Sequence, residues 1–260
     1  MAEIKLDSIA PNASILKQYK DTLHGLIREM RQSIIDDVVR PYRSDLAMDG
    51  IADWIGHVMD NLVNKWQDRL GKLSDDVAND LVGKCKTHYD RRLQNMLKKR
   101  GFIINFRNSR YVEDQTQIAI GENVSLIKSI ANQYLDNVRA AVWRSVKNGY
   151  DLESLIKQLR HIDGVSERRA TNIAKDQVAK ANQMFEDARA AELGITDAIW
   201  LHSHAGRTPR PSHVKANGTR YEIKKGLYLD DEWVTPASAI NCRCRKYLII
   251  EINENNMLTQ

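Results

Sequence analysis

Three of the seven histidines in this 260-residue sequence, His202, His204 and His213, fall within twelve positions in the run WLHSHAGRTPRPSH. Two of its three cysteines, Cys242 and Cys244, follow in INCRC. Imidazole and thiolate are the ligands zinc prefers, four to a closed tetrahedral structural site. A long loop with His at one end and Cys at the other gains order from a shared ion. In zinc-finger peptides that gain is roughly 10–16 kcal/mol. The spacing is not that of a standard finger, because C-x-x-C is lacking and C-x-C brings both sulfurs to one ion only through a bent backbone. In an extended segment, alternate side chains share a face, which puts Cys242 and Cys244 together with Arg243 opposite. His202 and His204 alternate in the same way. A zinc site drawn from His213, Cys242, Cys244, His204 and His202 is therefore one expectation, with His213 and Cys242 at its centre. The other is plain packing: two cysteines as small buried hydrophobes at the start of a strand, and histidines as loop hydrogen-bonders.

Asp230, Asp231 and Glu232 stand between these two halves and raise a second chemistry, a metal-dependent nuclease or other hydrolase. That needs an open metal position with an acid–base group beside it. The sequence holds no nucleophile-and-base spacing, no H-E-x-x-H, no P-loop and no dinucleotide fingerprint. The three acids read as a solvated turn, and the expectation is a protein that is not an enzyme.

A third chemistry is electrostatic. Residues 84–110 carry nine Lys or Arg against the single acid Asp90. Lys84, Lys86, Arg91, Arg92, Lys98, Lys99 and Arg100 are the candidate contacts to a nucleic-acid backbone, joined by Arg107 and Arg110. Such clusters bind phosphates through counterion release without reading bases. The competing reading is a solvated helix face with cations favourably placed at a helix end. The loop Arg207-Thr208-Pro209-Arg210-Pro211 is also basic and reads chiefly as rigid turn chemistry.

The elements that must position these residues are mostly helical. Apolar residues recur at helical spacing at Ile15, Tyr19, Leu23, Leu26, Ile27, Met30, Ile34 and Val38, and Pro41 is expected to end that helix. A second helix is expected from Gly50 to near Gly71. A third is expected to open with Ser74 as N-cap and to end at Lys98-Lys99-Arg100-Gly101. The run Phe102 to Phe106 is β-leaning. Helix resumes near Glu113 and runs to Lys147, with Asn148-Gly149 as terminator. Asp151 caps a short helix ending before Gly164, and Ser166 opens a polar, alanine-rich helix closed by Gly194. Ile199-Trp200-Leu201 and Tyr247 to Ile250 read as strands around Gly/Pro-punctuated loops. Trp54, Trp66 and Trp143 are expected in the helical core, Trp200 and Trp233 in the small module. The class is α+β: a helical N-terminal two-thirds, then a small strand-and-loop module. The linear division is 1–112, 113–252 (helices to 194, strands and loops 195–252) and a tail, 253–260.

Composition sets outer bounds. Apolar residues make up 42% and charged residues 28% of the sequence, ordinary for a globular protein. No stretch reaches the ~18 apolar residues of a membrane helix, so no membrane partner is expected. The opening MAEIKLDSIAPNAS lacks the apolar core of a signal peptide. A net charge of +5 permits an anionic partner such as DNA without demanding one.

Four stretches in series carry a resemblance. They are RATNIAKDQVAKANQ (Arg169 to Gln183), the strand with Trp200, HAGRTPRPSHVKANGTRYEI (His204 to Ile223) and PASAINCRC (Pro236 to Cys244). Over roughly residues 120–250 the sequence resembles the Mu F-like family of phage head morphogenesis proteins, the minor head proteins of Mu- and SPP1-type phages. The resemblance implies a virion component incorporated in few copies, needed to assemble a productive head in the host cytoplasm. Its partners would be capsid and portal proteins, with packaged DNA nearby. Family members show a Cys/His-rich version of the same block. Here Ala239 stands where they have a His before the final CRC, and Arg210 where they have an upstream Cys.

Overall fold

The computed structural model describes residues 2–44, 51–149, 151–204 and 208–252. Its layout is α+β, with long helices through the N-terminal two-thirds and a small strand-rich region after them. The elements run β1 (Ala2–Lys5), α1 (Ala13–Ile34), a π-helical turn (Ile35–Val39), α2 (Arg40–Ser44), α3 (Ile51–Lys98), α4 (Arg110–Lys147) and α5 (Leu152–Glu192). There follow β2 (Asp197–Leu201), α6 (Pro211–Lys215), β3 (Arg220–Glu222), β4 (Leu227–Leu229), β5 (Glu232–Val234) and β6 (Arg245–Ile252). No described helix is long and apolar enough to cross a membrane.

The chain forms two compact units: one of residues 1–16, 81–119 and 175–260, the other of residues 17–80 and 120–174. They cut across the linear division at residue 112, because α3, α4 and α5 each contribute to both.

The second unit is all helical. The apolar stripe from Tyr19 to Val38 is buried, as helical spacing requires, and Ile55, Leu62, Trp66, Ile127, Ile130 and Val138 are buried in the same unit. Three of its buried tyrosine hydroxyls are satisfied by side chains of the same unit. The Tyr19 hydroxyl donates to Asn123 Oδ1 (2.9 Å), Tyr134 donates to Asp163 Oδ1 (2.8 Å), and Tyr42 Oη lies 2.8 Å from Ser145 Oγ.

The first unit is built on a four-stranded antiparallel sheet in the order β1-β6-β2-β3, with β4 and β5 as a separate hairpin. Register pairs Ile4 with Ile250, Ala198 with Leu248 and Tyr221, and Trp200 with Lys246, so these residues share one face. Buried Lys246 on that face bonds the Asp187 carboxylate of α5. Arg189, two residues further along α5, is fully buried. It makes two 2.7 Å bonds to Asp90, donates to the Arg107 carbonyl (2.8 Å) and pairs with Glu192 at 2.5 Å. Its guanidinium also lies over the Phe106 ring. On the sheet's other side Arg220 reaches from β3 to Asp197 on β2 (3.4 Å), Glu251 on β6 (2.6 Å) and Glu3 on β1 (2.7 Å).

Several sequence expectations hold. Asp151 caps α5 through the Ser154 N–H (3.0 Å). Gly194, at φ +69°, closes α5 with paired bonds from Ile195 N to Ala190 O and from Gly194 N to Ala191 O. Gly101 ends α3 in the same way. Others need correction. Pro41 does not end its helix: the chain widens into the π-helical turn just before it, where Arg40 N–H bonds Ile35 O. The wider turn relieves the clash a proline ring makes with the preceding turn. The second and third helices are one, α3. Ser74 is buried in mid-helix, its hydroxyl back-bonded to Leu70 O at 2.6 Å, and is no cap. Gly164 and buried Ser166 likewise lie inside α5. A helical glycine costs about 1 kcal/mol against alanine, less than packing on either side returns. Phe102 to Phe106 form no strand. Trp143 is 39% exposed and Trp233 54% exposed, so neither is a core residue; Trp233 packs on Tyr228 and under Lys225 at the surface. β1 was not foreseen. The expected helix start at Gly50, the loop residue Arg207 and the tail 253–260 lie outside the described residues.

Candidate metal centre

Three segments of the first unit converge beside Trp200. The first is the exit of β2. Trp200 itself is buried, and two backbone bonds, Trp200 N to Thr219 O (2.9 Å) and Gly218 N to Trp200 O (2.8 Å), tie it to the turn that follows α6. The second is α6, with Pro211 in its first turn, which suits a residue without an N–H. Ser212 at its start bonds Asp230 (2.6 Å), and buried His213 sets its ring edge-on to Trp200, centroids 5.2 Å apart. The third is the turn from Thr235 to Cys244. There Ala237 and Asn241 adopt positive φ, and Asn241 N–H donates to Asp176 of α5 (2.7 Å). Left-handed backbone at an alanine is costly, so the turn is held by its surroundings.

The convergence brings His213 Nδ1 to 3.5 Å from Cys242 Sγ and 3.7 Å from Cys244 Sγ. All three residues are buried, and their ligand atoms lie within 4.8 Å of one another. The C-x-C segment behaves as its alternation predicts, both sulfurs inward and Arg243 exposed. The neighbouring Cys244 thiol, with backbone N–H groups of Cys244 and Ala237, holds the Cys242 thiol well below its usual range despite burial. The same neighbour relation, with burial, pushes the Cys244 thiol up.

The other two histidines part company. His202 is buried on the wall of the adjoining cavity, and His204 is exposed at φ +51°, so the two do not alternate on a strand. His202 Nδ1 accepts the His204 N–H at 3.3 Å, and burial first, then His204, lowers the His202 pKa. The cavity is about 50 Å³ and is walled also by Arg210, the position the resemblance had tied to the Cys/His block, and by Thr208 and Pro209, which sequence reasoning did not place at the site. Arg210 donates to the Ile240 carbonyl (3.1 Å), pinning the loop before α6 to the cysteine turn. No Asp or Glu lines this cavity among the described residues. Asp230 and Asp231, both at positive φ, form the two-residue turn of the β4–β5 hairpin, as the solvated-turn reading expects. Beneath them Gly226 is obligatory, since a Cβ there would stand 2.4 Å from the Val234 carbonyl oxygen.

The basic candidates lie elsewhere in the same unit. Lys84, Arg91, Arg92, Lys98 and Lys99 are exposed on α3. Lys86 is paired with Asp90 (3.1 Å) and Arg100 with Asp7 (3.9 Å). Asp90, the one acid of the cluster, turns inward to Arg189.

Residues 136–247 match the family described as Phage Mu protein F like protein, which bears out the resemblance read from the sequence. The matched stretch contains β2, α6 and the whole His213–Cys242–Cys244 group. A curated protein of Haemophilus influenzae, described as an uncharacterized protein, is 30% identical over 184 residues. That alignment covers 70% of this chain and 40% of the relative, so the chain spans about two-fifths of that protein's length. No solved structure matches.

Proposed function

We propose that this chain is a minor head protein of a tailed bacteriophage, acting in head morphogenesis beside the portal and capsid, with a structural and not a catalytic role. The observation that carries the proposal is the family match over residues 136–247. A structural role is supported by the site itself, whose cavity is lined by no carboxylate among the described residues. A nuclease or other hydrolase centre would need one beside its metal. The test is to tag the protein in an infecting phage and follow it through purified heads and portal-containing intermediates. Presence in both, and heads that fail to mature when the gene is deleted, is the expected result. Absence from every particle, or hydrolysis abolished by Cys242→Ser with assembly intact, would sink the reading.

The exposed Lys84, Arg91, Arg92, Lys98 and Lys99 favour a second, compatible role, contact with packaged DNA, because Asp90 is withdrawn from that surface. Binding to duplex DNA should then weaken steeply with salt, and replacing Arg91 and Arg92 by Gln should flatten the slope by about 2. A salt-independent or undetectable interaction removes that role.

A further inference from the structure

His213 Nδ1 offers either one lone pair or one N–H, and so a single hydrogen bond to sulfur. Two sulfurs nevertheless face it, at 3.5 and 3.7 Å. One hydrogen bond cannot account for both. A metal ion can: bonds of about 2.3 Å to sulfur and 2.0–2.1 Å to nitrogen, set at the tetrahedral angle, put nitrogen and sulfur about 3.6 Å apart. Both observed separations sit on that value. Two thiolates and one neutral imidazole bring two negative charges, which balance a divalent cation. The second shell suits this too. Backbone N–H groups of Cys244 and Ala237 point at the Cys242 sulfur, and the buried indole N–H of Trp200, with no aligned oxygen or nitrogen acceptor, lies where it favours charge on Cys244. Donors aimed at ligand sulfurs are what a coordinating thiolate requires.

We propose that His213 Nδ1, Cys242 Sγ and Cys244 Sγ are the three protein ligands of a zinc ion, its fourth place left to solvent in the adjoining cavity. His202 lines that cavity but does not ligate. Its Nδ1 is occupied as an acceptor, so Nε2 carries the ring proton and is a donor. It serves the ion through the fourth-place water, for which a cavity of about 50 Å³ has room. The ion clips α6 to the cysteine turn and holds Ala237 and Asn241 in their strained backbone. This inference does not depend on the head assignment.

The test is elemental analysis of the purified full chain with zinc, and of His213→Ala, Cys242→Ser, Cys244→Ser and His202→Ala. Wild type should hold about one zinc per chain and the first three variants essentially none. His202→Ala should keep the ion with affinity lowered by about 10–100-fold. Cobalt(II) in place of zinc should show sulfur-to-metal charge-transfer absorption in the wild type and none in either cysteine variant. Where a variant does not fold, chelation of the wild type decides: removing the metal should lower Tm and adding zinc should restore it. A wild-type chain that takes up no zinc, full stoichiometry in Cys242→Ser, or loss of the ion in His202→Ala would each overturn the assignment.

Discussion

The two compact units are stabilised in different ways. The helical one, residues 17–80 and 120–174, is held by an apolar stripe on each helix, with buried tyrosine hydroxyls paired to neutral or singly charged partners. The sheet-bearing one sets charged pairs in its interior, Arg189 against Asp90 and Lys246 against Asp187, together with the buried carboxyl of Glu186. Burying a charge is unfavourable unless its partner is in place. So the helical unit tolerates approximate packing, and the sheet unit is specified by a few pairings whose failure is severe. The candidate metal group lies in the second kind of interior, where geometry is most strongly imposed.

That contrast can be broken most forcefully at Arg189. Arg189→Ala leaves the Asp90 carboxylate with Lys86 alone and removes the bond that holds the Arg107 carbonyl, and should cost about 3–5 kcal/mol in urea unfolding. Hydrogen exchange should localise the loss to amides of the sheet unit; equal deprotection of both units would undo the distinction. Glu186 tests the same interior through pH. Burial raises its carboxyl from 4.5 to about 8. The folded protein therefore holds that proton more tightly than the unfolded chain. Its contribution is most favourable below about pH 4.5, is lost as pH rises to about 8, and is level above. Glu186→Gln should remove that slope, gaining on the order of 2–4 kcal/mol over wild type between pH 4.5 and 8.5. Parallel stability curves for the two proteins would show the carboxyl to be ionised throughout.

In the helical unit the expected effects shrink. Tyr42→Phe removes one buried hydroxyl, but Ser145 keeps its 2.9 Å bond to the Asp151 carbonyl, so the loss should be about 0.5–1.5 kcal/mol. A loss above about 3 kcal/mol would show that this unit too depends on specific polar pairing. The smallest effect belongs to the sheet's outer face. Arg220→Ala removes three ion pairs, all at least partly solvated, and should cost under about 1 kcal/mol, less still in high salt. A cost that ignores salt would mean the arginine acts by packing.

Helix existence was legible in the sequence because apolar spacing and caps such as Asp151 and Gly194 are local signals. Helix continuity was not. Gly71, Ser74, Gly164 and Ser166 are weak breakers whose cost is overcome by packing that no local window contains. The ligand-type residues of the site stood out by their chemistry, and His213, Cys242 and Cys244 do meet. Which histidine joins them depends on α6 folding back onto Trp200, a tertiary event. The internal charges were hidden for a similar reason. Glu186 and Arg189 share a helix face with buried Phe185 and Ala188, yet in an alanine-rich, polar stretch that face reads as solvent-exposed. β1 is four residues without periodicity, recognisable only by its partner.

That partner sits far along the chain. Ala2 pairs with Ile252 and Lys5 with Ile249, so the sheet cannot close until β6 has been synthesised. At roughly 5–20 residues per second, the ribosome leaves β1 waiting on the order of 10–50 s. The helical unit has all its residues by position 174, well before then. The nascent protein thus spends its synthesis with one unit able to form and the other obliged to wait. A ribosome stalled before residue 245 would hold a chain whose Lys246 has not yet been made and whose Asp187 has no counter-charge from β6.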